Sequence, residues 1–145
     1  MVEDLLLLAG SIIYYSQMIE HNLRVIVYLD TRLDQKDRKI SKDELLASDL
    51  LDLIQTESMG KLINICQEFQ VFTKKDLKYL RSVTPKRNNV AHKFFIHADF
   101  NGRIGNKIEE EKMINELSKI EKEFKYLHNE ILTIIKDYEQ KGARY

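Results

Sequence analysis

An arginine, an asparagine and a histidine lie close together in the segment TPKRNNVAHKFF, residues 84–95. Arg87 and His92 are five positions apart, and Asn88 follows Arg87 directly. Cleavage of RNA through its own 2′-hydroxyl needs a group that moves a proton near neutral pH and a fixed cation beside the phosphate oxygens. Histidine suits the first role and arginine the second, while Asn88 could orient the imidazole or contact a phosphate oxygen. The alternative interpretation is a surface arginine and histidine without chemistry.

Local signals predict a helix that begins just before these residues. Thr84 is the predicted N-cap and Pro85 the first helical residue, so Arg87 would lie in the first turn. The free N–H groups and the dipole of a first turn favour a bound phosphate. At about 100° per residue, Asn88 and His92 are about 40° apart, whereas Arg87 is about 140° from His92. Either the arginine bends across, or a second copy of the chain supplies half of the site.

Positive charge is concentrated around the same residues. The chain has 23 basic and 23 acidic residues, yet the segment Thr73–Lys93 holds seven basic residues and only Asp76 as an acid, a local net charge of +6. A basic segment on an otherwise acidic chain indicates a local anion site and not a general nucleic-acid coat. We expect Lys86, Lys93 and Arg81 to hold an RNA backbone. Solvated helix faces are the alternative explanation of these charges.

Composition and periodicity predict an all-α bundle of two long helices and several short ones, as one domain over residues 1–145. Five glycines and one proline leave little material for turns. The first long helix is predicted from Glu3 to Leu29, followed by a solvated connector. The second is predicted from Lys107 to Gln140, because apolar residues recur there at alternating spacings of four and three. They are Met113, Leu117, Ile120, Phe124, Leu127, Ile131, Ile134 and Tyr138.

Shorter elements are predicted between the two long helices. They are a helix with a capping box at Ser41–Glu44 that continues to Ile54, a helix after Gly60 through Phe69, a short helix capped by Thr73, and a tight hairpin at Asn101–Gly102.

The remaining candidates for chemistry are weaker. Cys66 lies among apolar residues and is predicted to be a buried thiol in a reducing compartment. The sequence Glu20-His21-Asn22 could line the same cleft as Arg87 or face a connector. His97 and His128 are expected to be exposed, and no spacing of ligands suggests a metal site. Four aromatic residues could stack on bases, although core packing is commoner at helical spacing: Tyr14, Tyr15, Tyr79 and Phe100.

The apolar start of the chain is predicted to be a core helix. Glu3 and Asp4 stand where an export signal carries basic residues. The uncharged run that starts at Leu5 ends at Glu20, which is short of the roughly 20 residues that a membrane span needs. We therefore expect a cytoplasmic protein without a membrane partner.

The hexapeptide RNNVAH, residues 87–92, resembles the signature of the HEPN superfamily (higher eukaryotes and prokaryotes nucleotide-binding). The motif covers six residues, and the resemblance in fold covers most of the chain. It implies a small all-α bundle that forms homodimers, with the arginine role at Arg87, the polar role at Asn88 and the histidine role at His92. Two such motifs from paired protomers commonly face one cleft, which would account for the angle between Arg87 and His92.

The resemblance also implies an activity. Many HEPN proteins are ribonucleases that need no metal or other cofactor and act in toxin–antitoxin, abortive-infection or CRISPR defence, so RNA and an antitoxin protein are the expected partners. One branch has a modified tyrosine two residues after the histidine, where this chain has Phe94. The alternative is a non-catalytic helical module that dimerises or binds a partner through the 113–138 stripe and binds RNA or an acidic protein through the basic segment.

Overall fold

The computed structural model describes residues 2–37, 57–94, 103 and 105–142 of the 145. Their regular elements are all helical: α1 Val2–Asp37, α2 Met59–Glu68, α3 Lys74–Asn88, a π-helical segment Asn89–Phe94, and α4 Lys107–Gln140. No strand occurs among these residues, which confirms the all-α class for the described part of the chain. None of its helices is both long enough and apolar enough to cross a membrane.

The predicted bounds of the long helices are correct for α4 and too short for α1. Asn106 caps α4 by accepting hydrogen bonds from the N–H groups of Ile108 and Glu109. By contrast, α1 continues through Asp37, so a solvated connector directly after Leu29 was wrong. The extra turns contain polar residues but neither glycine nor proline, so nothing in them terminates a helix. The hydroxyl of Thr31 donates to the backbone oxygen of Val27, 2.8 Å away.

Of the two short helices, one begins at its predicted cap and the other begins earlier than predicted. Ser58 caps α2 and accepts from the N–H of Lys61, so Gly60 lies inside the first turn of α2 and does not interrupt it. Thr73 caps α3 as predicted, by accepting from the N–H of Asp76. The predicted helix over 41–54 and the hairpin at 101–102 lie outside the described residues.

The two long helices pack side by side and run in the same direction. Tyr15 of α1 meets His128 of α4 edge to face at 5.6 Å. Further along both helices, the Tyr138 hydroxyl donates to Asp30 across 2.6 Å. Their apolar faces form most of the core, and the residues that are fully inaccessible to solvent include Leu5, Ile12, Ile19, Leu23, Ile26, Leu29, Leu117, Phe124 and Ile131.

The apolar stripe of α4 is therefore a bundle core. Its predicted members are buried or half-buried, with Ile135 more deeply buried than the predicted Ile134. Because α1 covers this face within the same chain, the stripe is not free to dimerise or to bind a partner helix, as the non-catalytic alternative required. An interface for a second chain has to use another surface.

Helix α3 crosses α4 steeply and ends against α1. The Tyr126 hydroxyl of α4 donates to Asp76 near the start of α3, 3.1 Å away. Lys86 near the end of α3 pairs with Glu123, less than one turn before Tyr126 on α4. Both ends of α3 thus reach the same short stretch of α4. The last turn of α3 also reaches the middle of α1, and this junction places the candidate site.

Cys66 is a structural residue, as predicted. Its side chain is inaccessible to solvent in the core. Burial, assisted by the nearby Asp30 carboxylate, raises the pKa of the thiol to about 12, so it stays protonated and unreactive at neutral pH.

Candidate functional site

Pro85 lies inside α3 and does not begin a helix, so the prediction of a new helix at this proline was wrong. A proline in a helix interior loses one backbone hydrogen bond and crowds the preceding turn. Here the helix already extends from Thr73, and the burial of Leu80 and Val83 holds the turns before the proline in the core. Arg87 consequently lies in the last turn of α3 and not beside the free N–H groups of a first turn, which would have favoured a phosphate.

The chain after Asn88 continues as a π-helix, and this segment carries His92. In a π-helix the backbone hydrogen bonds connect residues i and i+5, and each residue advances the helix by less than the roughly 100° of an α-helix. Arg87 and His92 are five apart, and most of the winding between them passes through this segment. The π-helix therefore brings the two closer to a common face than the α-helical angle indicated. Buried Val90 anchors the segment in the core, while His92 is exposed.

Arg87 is oriented by one neighbour in sequence and one in space. Its Nη2 donates to Oδ1 of Asn88 at 3.3 Å. Its Nη1 lies 3.9 Å from Oε2 of Glu20 on α1, close enough for an ion pair but too far for a hydrogen bond. Because the oxygen of Asn88 is engaged by Arg87, its amide N–H groups are the part of that side chain that can donate to a phosphate.

Glu20 is shared between two guanidinium groups. Its Oε1 accepts from Nη2 of Arg24 at 2.9 Å, and Arg24 also donates to the backbone oxygen of Glu57. The carboxylate of Glu20 therefore positions both guanidinium groups near the end of α3.

Three different environments surround the consecutive polar residues Glu20, His21 and Asn22 of α1. Glu20 joins the site, as one of the two predicted alternatives required. His21 is exposed, and Asn22 is only 7% exposed. The amide nitrogen of Asn22 has no hydrogen-bond partner in the described part of the structure.

Two of the three predicted RNA-binding residues are engaged within the protein. Lys86 pairs with Glu123 of α4. Arg81 donates to Oδ1 of Asn64 at 2.9 Å and to Oε1 of Gln67 at 2.8 Å, so it connects α3 to α2. A phosphate would have to compete for both cations. The side chain of Lys93 lies outside the described residues.

A depression of about 510 Å³ adjoins the motif. The described residues that line it are Thr84, Pro85, Asn88 and Asn89, which offer side-chain amides and a hydroxyl. Asn88 belongs both to this wall and to the hydrogen bond with Arg87. The asparagine therefore connects the cation to a concave surface that could receive part of a ligand.

The other predicted candidates have different surroundings. His128 was expected to be exposed, but it is half-buried against Tyr15, and its Nε2 is buried without a hydrogen-bond partner among the described residues. Within the same residues no group of three or more histidine, cysteine or acidic side chains is arranged to hold a metal ion. His97 and Phe100 lie outside them.

Sequence reasoning missed Tyr126, a ring on the solvent side of α4 that is 40% exposed. Lys75 lies over this ring and also over that of Tyr79, one of the aromatic residues that the sequence did single out. The signal was present in the periodicity: Tyr126 falls between Phe124 and Leu127 of the apolar stripe but points away from it.

Comparison of the chain with models of protein families, with curated proteins and with solved structures gave no match in any of the three.

Proposed function

We propose that this protein is a metal-independent endoribonuclease of the HEPN type, which cleaves RNA through attack by the 2′-hydroxyl. The observation that carries the proposal is the grouping at the end of α3. Arg87 is hydrogen-bonded to Asn88 and lies beside Glu20, and His92 is exposed on the π-helical turn that follows. A fixed cation, an amide donor and an accessible imidazole are the groups that this reaction needs.

Each residue has a defined role in the proposed reaction. His92 as a base takes the proton of the 2′-hydroxyl, and the 2′-oxygen forms a bond to phosphorus while the bond to the 5′-oxygen breaks. In its protonated form the same residue type donates a proton to the leaving 5′-oxygen, so the products are a 2′,3′-cyclic phosphate and a 5′-hydroxyl. Arg87 stabilises the charge on the phosphate oxygens, and the Asn88 amide donates to one of them.

The complete reaction uses a histidine twice, once as base and once as acid. The homodimer expected from the HEPN resemblance would bring a second His92 to a shared cleft. The apolar surface of α1 offers a contact for such a partner, because Leu6, Leu7 and Tyr14 are 56%, 73% and 55% exposed. The resemblance further implies a role in toxin–antitoxin or defence systems, with an antitoxin protein as a second partner.

The test is incubation of total RNA with the purified protein in EDTA, followed by analysis of the product ends. We expect cleavage in EDTA with 2′,3′-cyclic phosphate and 5′-hydroxyl ends, because the proposed groups act without a metal. A strict requirement for a divalent cation, or products with 3′-hydroxyl ends, would contradict the mechanism. Intact RNA that is nevertheless bound would favour the non-catalytic module, for which the exposed apolar residues of α1 provide a surface.

Glu20→Gln is expected to separate catalysis from binding. The carboxylate positions Arg87 but also repels a phosphate, so its loss should slow cleavage about tenfold while it tightens the binding of uncleavable RNA. The measurements are single-turnover cleavage rates and the Kd for 2′-O-methyl RNA. Glu111→Gln, which changes an exposed carboxylate near the start of α4, is the matched control and should change neither. If both rate and affinity fell together, Glu20 would have only a structural role.

A further inference from the structure

A lysine lies over two tyrosine rings on the surface between α3 and α4. The Nζ of Lys75 is 5.7 Å from the ring centroid of Tyr79 and 5.7 Å from that of Tyr126. Lys75 and Tyr79 share one face of α3 with Ser82 and Lys86, since these positions are spaced by four, three and four residues. This face is directed at α4, and its last residue, Lys86, directly precedes Arg87 in the sequence.

The Tyr126 ring is exposed but held in a fixed position. Its hydroxyl donates to Asp76 at 3.1 Å, and Asp76 is only 4% exposed. The backbone of Asp76 is fixed in turn, because its N–H donates to the Thr73 hydroxyl that caps α3. The hydrogen bond to Asp76 raises the pKa of Tyr126, so the phenol keeps its proton at neutral pH. A ring that is anchored at one end and accessible elsewhere loses little freedom when a ligand stacks on it.

We propose that Lys75, Tyr79 and Tyr126 form a platform that binds a single-stranded nucleotide of the RNA substrate at a distance from the cut. The base stacks on the exposed face of Tyr126, and Lys75 moves from the ring to the adjoining phosphate. Stacking on aromatic rings beside basic residues is how proteins hold single strands without reading their sequence. This inference rests on the proposed function, for which RNA is the substrate.

The position of the platform defines which nucleotides it contacts. Lys75 and Lys86 are eleven residues apart, about 16 Å along a helix. An RNA strand with its scissile phosphate at Arg87 would therefore reach the platform only a few nucleotides away. Short substrates cannot span this distance, so the platform should act on long substrates alone.

The charges around the platform agree with a nucleic-acid ligand. Lys74, Lys78 and Lys122 are exposed on the two helices that carry it. Of the acidic groups nearby, Asp76 is buried and bonded to Tyr126, and Glu123 is paired with Lys86. Glu130 is one turn beyond Tyr126 and contributes to the rise in its pKa. Lysines alone would bind any polyanion, whereas an exposed fixed ring favours a ligand with a flat base.

The test uses the full chain and a fluorescent single-stranded 2′-O-methyl RNA of about a dozen nucleotides, which the 2′-hydroxyl mechanism cannot cleave. We expect Tyr126→Ala to weaken binding about tenfold, the loss of one stacked base. Tyr126→Phe keeps the stacking ring but loses the hydrogen bond to Asp76, so its affinity should lie between those of the wild type and Tyr126→Ala. Leu132→Ala, which removes an apolar side chain of similar exposure (38% against 40%) from the same helix, is the matched control. Cleavage of a dinucleotide should be unchanged in all three variants.

Unchanged affinity of a folded Tyr126→Ala would overturn the platform. If that variant fails to fold, photocrosslinking of the wild type to RNA with 5-iodouridine decides the question, because a stacked base should attach to Tyr126 or Tyr79. Equal competition by polyglutamate and by single-stranded RNA would identify a site for charge alone and also overturn the proposal. If RNA binding depends on Tyr126 but no RNA is cleaved, the platform is supported and the nuclease is refuted. If RNA is cleaved but its binding does not depend on Tyr126, the nuclease is supported and the platform is refuted.

Discussion

His92→Ala is expected to reduce the rate of RNA cleavage by a factor of about 100 to 10,000, the usual contribution of a positioned proton-transfer group. Helix content should stay the same, because the side chain is exposed and Val90 anchors the π-helical segment in the core. The measurement is single-turnover cleavage in EDTA, with circular dichroism to verify folding. Undiminished cleavage would end the assignment of His92 as the catalytic histidine.

Two further variants distinguish proton transfer from other roles of His92. His92→Gln keeps a hydrogen-bonding group of similar reach but cannot transfer protons, so it should be as inactive as the alanine variant. Free imidazole should restore part of the activity of His92→Ala, because it can occupy the space and carry the proton. His21→Ala removes an exposed histidine from α1 and serves as the control. An equal loss in His21→Ala would show that the effect is not specific to the RNNVAH motif.

Phe124→Ala is expected to lower the free energy of unfolding by about 3–5 kcal/mol, the usual cost of removing a buried phenylalanine ring. Phe124 is fully buried on α4, between the positions that pair with the two ends of α3. The measurement is urea unfolding followed by circular dichroism. Leu132→Ala is the control on the same helix: Leu132 is 38% exposed, so its truncation should cost less than about 1 kcal/mol.

A loss of this size is a large part of the stability of a typical domain, which is about 5–15 kcal/mol. Phe124→Ala should therefore unfold at much lower urea concentrations and lose its activity with its structure. Similar losses in Phe124→Ala and Leu132→Ala would contradict the view that α4 stabilises the fold through one buried face. Phe124→Leu leaves a smaller cavity and should remain folded if the alanine variant does not.

The sequence predicted α4 most accurately because its apolar stripe alternates spacings of four and three without a break and no glycine or proline interrupts the helix. The structure adds Asn106 as the N-cap. Thr73 was informative for α3. The end of α1 was missed because its last turns are polar: periodicity locates the face that is buried, and gives little information about a helix that continues beyond its core contacts.

The local structure of the site was harder to predict. Proline is common at the first position of a helix, so Thr84-Pro85 resembles a helix start, although Pro85 lies inside α3. The π-helix has no distinct sequence signature, because the same residues can form α-helical hydrogen bonds. These two features together decide where His92 lies relative to Arg87, and the α-helical angle overstated their separation.

The contribution of Glu20 depends on tertiary structure. The sequence identified it as a polar residue within an apolar helix, with two possible surroundings. Only the packing of the last turn of α3 against α1 brings its carboxylate to 3.9 Å from Arg87, which is 67 residues further along the chain. The motif thus indicates which residues are candidates for the site, whereas their partners follow only from the packing of the bundle.

The parallel arrangement of α1 and α4 has a consequence for the kinetics of folding. Helices joined by a short turn are antiparallel, and their contacts form between residues close in sequence, which is one reason that helical bundles fold fast. Here the hydrogen bond between Asp30 and Tyr138 joins residues 108 positions apart. The chain must close a loop of most of its length before the main core exists, and the entropy lost in that closure is not recovered until the last helix docks. We therefore expect this protein to fold more slowly than up-and-down bundles of its size, at rates typical of mixed α/β domains.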